Sequence, residues 1–332
     1  MNIIFVMISL KMKININITF HMKKLFPFVL YTECSFAPIR YIALMFTIIF
    51  LYGGCTTVKK DWIAVCGDGV VRIIDMDKSD STHIKEVWRW DKDDSQVSLP
   101  KGYDRYMRHL DECKFVDSNT KMLLTASGNG MMLLDIKTKN ILCYAYVPMA
   151  HSAELLPNNR IAVALSTHKM GNALEIYNIN QPDKVLFRDS LYSGHGVVWN
   201  EKRQRLYALG YKELREYELV DWNTDKPSLR QVRMWEIPMT SGHDLSPVDD
   251  NRMLLSAHEG VTWFDIDKEE FTPFEPLSDV ENVKSVNYDP KTKKLVYTKA
   301  EINWWTHHIY QKNPDKVVTI DSLNVYKVRV MR

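Results

Sequence analysis

Residues 122–136 read MLLTASGNGMMLLDI, an apolar run, a short polar turn and a second apolar run that ends in Asp-Ile. Two such runs joined by a Ser-Gly-Asn-Gly turn predict a β-hairpin, because Gly and Asn adopt the backbone angles that tight turns require. The pattern appears again in both directions along the chain. Copies lie at residues 62–76, 161–179, 206–219 and 253–266, with a degenerate copy at 295–312.

The spacing of these hairpins indicates a repeat architecture. The first five copies end near the polar residues Asp75, Asp135, Asn178, Glu218 and Asp265, which are 60, 43, 40 and 47 residues apart. A short strand-like segment precedes each copy after the first, and another follows each of the first five. Four short strands per repeat are typical of a β-propeller blade, because radial packing buries both apolar faces of each sheet.

We therefore predict an all-β propeller of six four-stranded blades that occupies residues 55–332 as a single domain. No segment has a sustained apolar period of 3.6 residues, so few helices are expected. The first hairpin lacks an innermost strand, and the tail NVYKVRVM at residues 324–331 is a spare strand that would supply it and close the ring. A seventh blade would need a further strand set, which we do not find.

The first 54 residues differ from the rest and predict a leader. An apolar run over residues 41–52 follows Arg40 and ends at Gly53, Gly54 and Cys55. A positive flank, an apolar core and small residues before a cysteine are typical of a bacterial lipoprotein signal peptide, which predicts a lipid on Cys55. The alternative is a plain N-terminal membrane anchor. The predicted location is the cell envelope, periplasmic or on the outer-membrane surface, with the lipid as the membrane contact.

The charge balance argues against a nucleic-acid partner. After the leader, the chain has 38 basic and 40 acidic residues, and no basic stripe stands out. Proteins that bind nucleic acids replace counterions with such a stripe. The remaining cysteines are Cys66, Cys113 and Cys143, which lie in apolar segments and are predicted to be small buried hydrophobes. The sequence contains no CxxC pair, so a structural zinc site of the usual kind is not predicted. We expect a monomer.

Histidines recur at one position of the repeat. His151, His195 and His243 are 44 and 48 residues apart, each at the start of a predicted innermost strand. Alignment of the other repeats adds Asp111 and Lys284. Because equivalent strand ends of a propeller meet at one mouth of the central channel, these five side chains are predicted to form a ring there. Each histidine could equally be structural, with its ring bonded to the backbone of a neighbouring blade.

Further polar residues are predicted on the same face. Loops between the middle strands would bring His168, Lys212 and His258, with Trp304 and Trp305 nearby, and an insertion would bring Tyr103, Arg105, Tyr106, Arg108 and His109. The predicted ligand-binding residues are Asp111, His151, His195, His243, Lys284, Arg105, Arg108, His109, His168 and His258.

Three kinds of chemistry could use such a mouth. Aromatic faces and fixed polar groups suit a sugar or another polar small molecule. Three imidazoles, from His151, His195 and His243, could hold a divalent metal. Acid–base catalysis on a uronic-acid glycan would need a base and a cation, for which the candidates are His195, Tyr106 and Arg108. The phosphate-binding, serine-hydrolase and HExxH motifs are absent from the sequence.

Three segments carry a resemblance to a known family. ECKFVDSNTKMLLTAS, HSAELLPNNRIAVALS and SGHGVVWNEKRQRLYALG resemble an uncharacterised family of exported bacterial β-propeller lipoproteins. That family implies the fold over about residues 61–331 but no catalytic residues. His-lined mouths are also distantly similar to some polysaccharide lyases, including a manganese-dependent oligogalacturonate class. The repeats are similar in layout to WD-type and YVTN-type propellers.

The sequence thus predicts an extracytoplasmic lipoprotein whose propeller binds a polar ligand, a small molecule or a glycan, at a His-rich mouth. A carbohydrate-active enzyme, similar to a polysaccharide lyase and metal-dependent or not, is the alternative. A protein-interaction scaffold is the third candidate.

Overall fold

The structure is a computed structural model that describes residues 60–94 and 99–331. Within these ranges, 24 strands form six four-stranded antiparallel sheets, and the helical elements are two 3₁₀ turns, Met76–Lys78 and Asp104–Met107. The predicted six-bladed, all-β propeller is confirmed. The predicted leader and Cys55 lie outside the described residues. No helix in the described part combines the length and apolar character needed to cross a membrane.

The blades follow one another along the chain. Blade 1 contains β1 (Trp62–Gly67), β2 (Val70–Asp75) and β3 (Glu86–Asp91). Blade 2 contains β4 (Leu110–Val116), β5 (Lys121–Ala126), β6 (Gly130–Asp135) and β7 (Ile141–Tyr146). Blade 3 contains β8 (Ala150–Leu156), β9 (Arg160–Leu165), β10 (Ala173–Asn178) and β11 (Gln181–Ser190).

The second half of the ring repeats this order. Blade 4 contains β12 (Gly196–Asn200), β13 (Arg205–Leu209), β14 (Glu213–Val220) and β15 (Ser228–Glu236). Blade 5 contains β16 (Asp244–Pro247), β17 (Arg252–Ser256), β18 (Val261–Asp265) and β19 (Glu270–Pro273). Blade 6 contains β20 (Val283–Tyr288), β21 (Leu295–Lys299), β22 (His308–Lys312) and β23 (Lys316–Thr319).

The C-terminal strand closes the ring, as predicted. β24 (Lys327–Val330) pairs antiparallel with β1 and is the innermost strand of blade 1, with Val328 opposite Val65. Each innermost strand contacts the innermost strands of the two neighbouring blades, from β4 around to β24. Blade 1 is therefore built from both ends of the described chain, and the main-chain hydrogen bonds between β1 and β24 close the ring.

The core consists of apolar layers between neighbouring blades. Val71 of β2 packs with Leu124 of β5 between blades 1 and 2, and Val296 of β21 packs with Ile63 of β1 between blades 6 and 1. Equivalent clusters fill the other four junctions. Since neighbouring sheets cover both faces of the inner and middle strands, strands such as β5, β6 and β9 read as apolar runs, whereas the outer strand β7 alternates between buried and exposed residues.

Candidate functional site

Six side chains, one from each blade, line a single cavity of about 450 Å³. Each lies at the start of an innermost strand. We call this set the mouth ring; in order around the propeller it contains Asp111, His151, His195, His243, Lys284 and Tyr326. The first five are the residues that the repeat spacing predicts to meet, and the structure brings them together. The repeat spacing does not predict Tyr326, although the tail strand is predicted to take the inner position of blade 1, where its register places Tyr326 in the ring.

Local backbone irregularities aim these side chains at the axis. Leu110 and Glu112 pair with the consecutive residues Ala126 and Thr125 of β5, so Asp111 is the extra residue of a β-bulge. His151 and Lys284 occupy the same position in β8 and β20. A bulge turns the extra side chain out of the regular alternation.

The other three members of the mouth ring lie just before the first paired residue of their strands. The backbone amide groups of His195, His243 and Tyr326 donate to carbonyl oxygens of the second strands, β13, β17 and β1. The six positions are therefore structurally equivalent.

Backbone carbonyl groups set the tautomers of two histidines. The Nδ1 of His195 donates to the Ser193 carbonyl at 2.8 Å, and the Nδ1 of His151 donates to the Met149 carbonyl at 3.0 Å. A carbonyl can only accept, so in each neutral ring Nε2 carries the lone pair. The two ring centroids are 4.5 Å apart. Burial, with contributions from His151 and His243, lowers the pKa of His195 well below its usual value, which keeps this ring neutral.

Lys284 and His243 form the next pair around the ring. The ammonium of Lys284 donates to Nε2 of His243 at 2.9 Å, which places the proton of the neutral imidazole on Nδ1. That Nδ1 is buried without a hydrogen-bond partner. Burial, with the nearby charge of Lys327, lowers the pKa of Lys284 to about 7. Burial and the charge of Lys284 lower the pKa of His243 well below its usual value.

Asp111 has partners of its own. One carboxylate oxygen accepts from the backbone N–H of Ser127, and the other lies 3.9 Å from Nε2 of His151. Burial raises the pKa of Asp111, and His151 partly offsets that effect. The carboxyl group is thus held by the backbone of blade 2 and lies beside His151 of blade 3.

Aromatic side chains complete the wall of the cavity. Tyr192, Tyr211, Trp304 and Trp305 line it together with the mouth ring. Trp304 is 62% exposed, and its ring lies 5.3 Å from Nζ of Lys284. The loop that carries both tryptophans is held by Glu301, which accepts hydrogen bonds from Thr306, His308 and Tyr310. The cavity therefore has flat aromatic surfaces near its entrance and the polar side chains of the mouth ring at its base.

A buried ion network lies one step further along the inner strands, and sequence reasoning missed it. Arg329 of β24 donates to both carboxylate oxygens of Glu112 at 2.7 and 2.6 Å. The same guanidinium donates to Asp244 at 2.8 and 2.6 Å, and Nζ of Lys327 lies 3.2 Å from Asp244. Two acids and two bases therefore neutralise each other at the axis. Glu112, Asp244 and Lys327 each directly follow a mouth-ring residue in the sequence. This shared position was the sequence feature that could have predicted the network.

The remaining predicted residues do not line the cavity. Arg105 and Arg108 are exposed, and the guanidinium of Arg105 lies over Tyr106. His109 is exposed and stacks on Trp305 with a centroid distance of 6.0 Å, so it is near the rim. A role for these four residues in ligand binding or catalysis stays a prediction.

The middle-loop histidines are held by local contacts. Nδ1 of His168 accepts from the backbone N–H of Met170 at 3.1 Å, and Nδ1 of His258 lies 2.9 Å from the side-chain oxygen of Asn282. Tyr103, which was expected at the mouth, is a core residue whose hydroxyl donates to carbonyl oxygens of β6 and β7. The insertion therefore packs partly against blade 2.

The arrangement of the histidines does not favour a metal site. Among the described residues, no group of three or more His, Cys, Asp and Glu side chains is placed to hold a metal ion. The ammonium of Lys284 already occupies Nε2 of His243, and a second cation beside it would be repelled. We therefore do not propose a divalent metal at His151, His195 and His243, which was one of the three possible uses of the mouth.

The fold and the cavity define a β-propeller with a polar mouth cavity. The chain belongs to the family of unknown function DUF6528, whose family model matches residues 69–332. This agrees with the resemblance seen in the sequence. Among curated proteins, none matches this sequence.

Two solved structures are similar in fold. A protein of unknown function from Bacteroides caccae has a TM-score of 0.55 at 12% identity, covering 82% of this chain and 100% of that one. The C-terminal WD40 domain of Sif2 has a TM-score of 0.49 at 11% identity, covering 82% and 90%. At such low identity, the first similarity supports the fold alone.

Proposed function

We propose that the mouth cavity binds a small polar ligand and that this ligand is a carbohydrate. The observation that carries the proposal is the convergence of one polar side chain from each of six blades on one cavity of about 450 Å³. Ligand sites are typically concave cavities of about 300–1,000 Å³ with a few convergent polar groups.

The chemistry of the wall suits a sugar. Nε2 of His151 and of His195 can each accept a hydrogen bond from a hydroxyl, because Nδ1 of each ring is engaged by the backbone. Trp304 and Tyr192, both exposed at the rim, can cover the apolar C–H face of a pyranose ring. For His195, ligand binding is favoured over a role as general base, because burial lowers the pKa of this imidazole well below its usual value and so weakens it as a base.

Binding can be tested by titration calorimetry with a panel of mono- and oligosaccharides. We expect saturable binding without turnover, and a loss of at least about tenfold in affinity for His195→Ala, the cost of one or more hydrogen bonds. His83→Ala is the matched control, because His83 is exposed and outside the cavity wall. Thermal melting of each variant establishes that it is folded.

Three outcomes would contradict the proposal. If His195→Ala binds sugar with the same affinity as the wild type, the sugar binds at another site. Shortened or unsaturated sugars detected by chromatography would favour the enzyme alternative. A chain that binds no sugar, and whose cellular interactions are lost on changes to outer-strand residues but not on His195→Ala, would favour a scaffold.

We also propose that the chain is exported and lipid-anchored through Cys55, on the basis of the Gly-Gly-Cys junction after an apolar run. Metabolic labelling with a fatty acid should mark the wild-type protein in the membrane fraction and not Cys55→Ser. If Cys55→Ser stays in that fraction at its full length, the segment is a plain N-terminal anchor instead.

A further inference from the structure

We infer that the ligand of the mouth cavity carries a carboxylate, which the ammonium of Lys284 binds. The inference rests on the proposed function and narrows it to sugar acids, such as uronic or aldonic acids. It follows from the partners of Lys284, the charges around it and the distribution of donors and acceptors around the mouth ring.

Lys284 is a buried cation without an acidic partner. It is 1% exposed, yet its ammonium makes its one hydrogen bond in the described structure to a neutral nitrogen of His243. In residues 60–94 and 99–331, no carboxylate oxygen lies within 4 Å of its Nζ, in contrast to Lys114 and Lys327. Buried charges are ordinarily paired, because desolvation is costly. The position is that of a cation whose counterion comes from outside the chain.

The other charges at the axis already have partners. Arg329 and Lys327 face Glu112 and Asp244 in the buried network. Asp111 accepts from the Ser127 amide and lies beside His151. Lys284 is separated from Asp111 by Tyr326 around the mouth ring, and the two do not form an ion pair. An anion entering the cavity would therefore find Lys284 as its available cation.

Donors and acceptors are arranged on opposite sides of the mouth ring. Lys284 and Tyr326 are neighbours, and burial raises the pKa of Tyr326, so its hydroxyl stays protonated. His151 and His195 lie on the other side of the ring, with Nε2 as acceptor. A ligand with a carboxylate at one end and hydroxyl groups at the other matches this polarity. Trp304 lies over the Lys284 ammonium and would limit its access to water.

Calorimetry with matched sugars tests the inference. The probes are glucuronate with glucose, galacturonate with galactose, and mannuronate with mannose, which differ only in the C6 carboxylate. We expect the acid of at least one pair to bind about tenfold or more tightly than its parent, as for a charge-assisted hydrogen bond. Lys284→Met should remove this preference and retain binding of the neutral sugar. Lys212→Met, which changes an exposed lysine outside the cavity wall, should keep the preference.

The outcomes separate this inference from the proposed function. If acids and parents bind equally, and His195→Ala weakens both, the carboxylate inference is overturned and carbohydrate binding stands. If no sugar binds but the hydroxy acids malate or tartrate do, with loss of binding in Lys284→Met, the sugar assignment fails and the carboxylate inference stands. If none of these compounds binds, both are overturned.

Discussion

The ammonium of Lys284 donates a 2.9 Å hydrogen bond to Nε2 of His243, so that a neutral imidazole, and not a carboxylate, holds a buried lysine. This contact determines the tautomer of His243 and leaves the positive charge of Lys284 uncompensated. Burying this charge lowers the stability of the propeller, and the same unpaired charge is available to a ligand in the mouth cavity.

Replacing Lys284 with Met should stabilise the free protein. Burial lowers the pKa of Lys284 from 10.5 to about 7, so the unfolded state binds more protons between these two values and stability rises with pH across that range. The gain from Lys284→Met should be up to about 5 kcal/mol below pH 7 and should shrink between pH 7 and 10.5. Denaturant unfolding at pH 6, 8 and 10 measures it.

Lys212→Met serves as the control for that series, because Lys212 is exposed and should change stability little at any pH. Destabilisation by Lys284→Met at pH 6 would show that the lysine is compensated in solution.

Arg329→Met should destabilise the propeller strongly. The change leaves Glu112 and Asp244 buried with Lys327 as their remaining cation at the axis. Removal of one partner from a buried ion network typically costs about 3–5 kcal/mol. Equilibrium unfolding in urea measures the loss, and adding Glu112→Gln to Arg329→Met should recover part of it. A loss below about 1 kcal/mol would contradict a structural role for the network.

The same network should make the protein sensitive to acid. Burial alone would raise the pKa of Glu112, but Arg329 and Lys327 outweigh it and lower the pKa to about 2. A carboxyl group whose pKa is lower in the folded than in the unfolded state stabilises the fold at pH values above its unfolded pKa. This stabilisation is lost as the pH falls from about 4.5 towards 2. Thermal melting between pH 2 and 6 should show a steeper decline for the wild type than for Glu112→Gln. Parallel curves would contradict this assignment.

Trp304→Ala should weaken ligand binding and leave stability almost unchanged. Trp304 is 62% exposed in the free protein, so its removal takes away little buried apolar surface. A ligand stacked on its ring would lose those contacts, which corresponds to about five- to twentyfold in affinity. Calorimetry with the tightest sugar from the panel measures the effect. Tyr146→Ala removes another exposed aromatic residue, from the outer strand of blade 2, and should leave affinity unchanged. A loss of affinity in that control would indicate a general effect on the fold.

The buried thiols should be unreactive in the folded protein. Cys66, Cys113 and Cys143 are free and buried, as the sequence predicted. Burial raises the pKa of Cys143 to about 12 and that of Cys113 well above its usual value, so few thiolates form at neutral pH. Labelling with iodoacetamide followed by peptide mapping should mark these three positions only after denaturation. Rapid labelling of Cys113 in native buffer would require an opening of the junction between blades 1 and 2.

The local pattern of apolar and polar residues was sufficient to predict the architecture of this protein. Paired apolar runs around polar turns recur with a period of one blade, and each run needs cover on both faces, so six sheets around an axis follow from burial. The assignment of the tail to blade 1 followed from counting strands. The convergence of Asp111, His151, His195, His243 and Lys284 followed from their equivalent positions in successive repeats.

The chemistry of the mouth depended on contacts between distant parts of the chain. Arg329 and Glu112 are 217 positions apart, and Tyr326 joins the mouth ring because β24 returns to β1. The pairing of Lys284 with His243, and the backbone carbonyls that set the tautomers of His151 and His195, depend on distances of about 3 Å that no repeat spacing encodes. Hydrophobic periodicity specifies which surfaces are buried, whereas hydrogen bonds and ion pairs form only once tertiary packing has placed their atoms within reach.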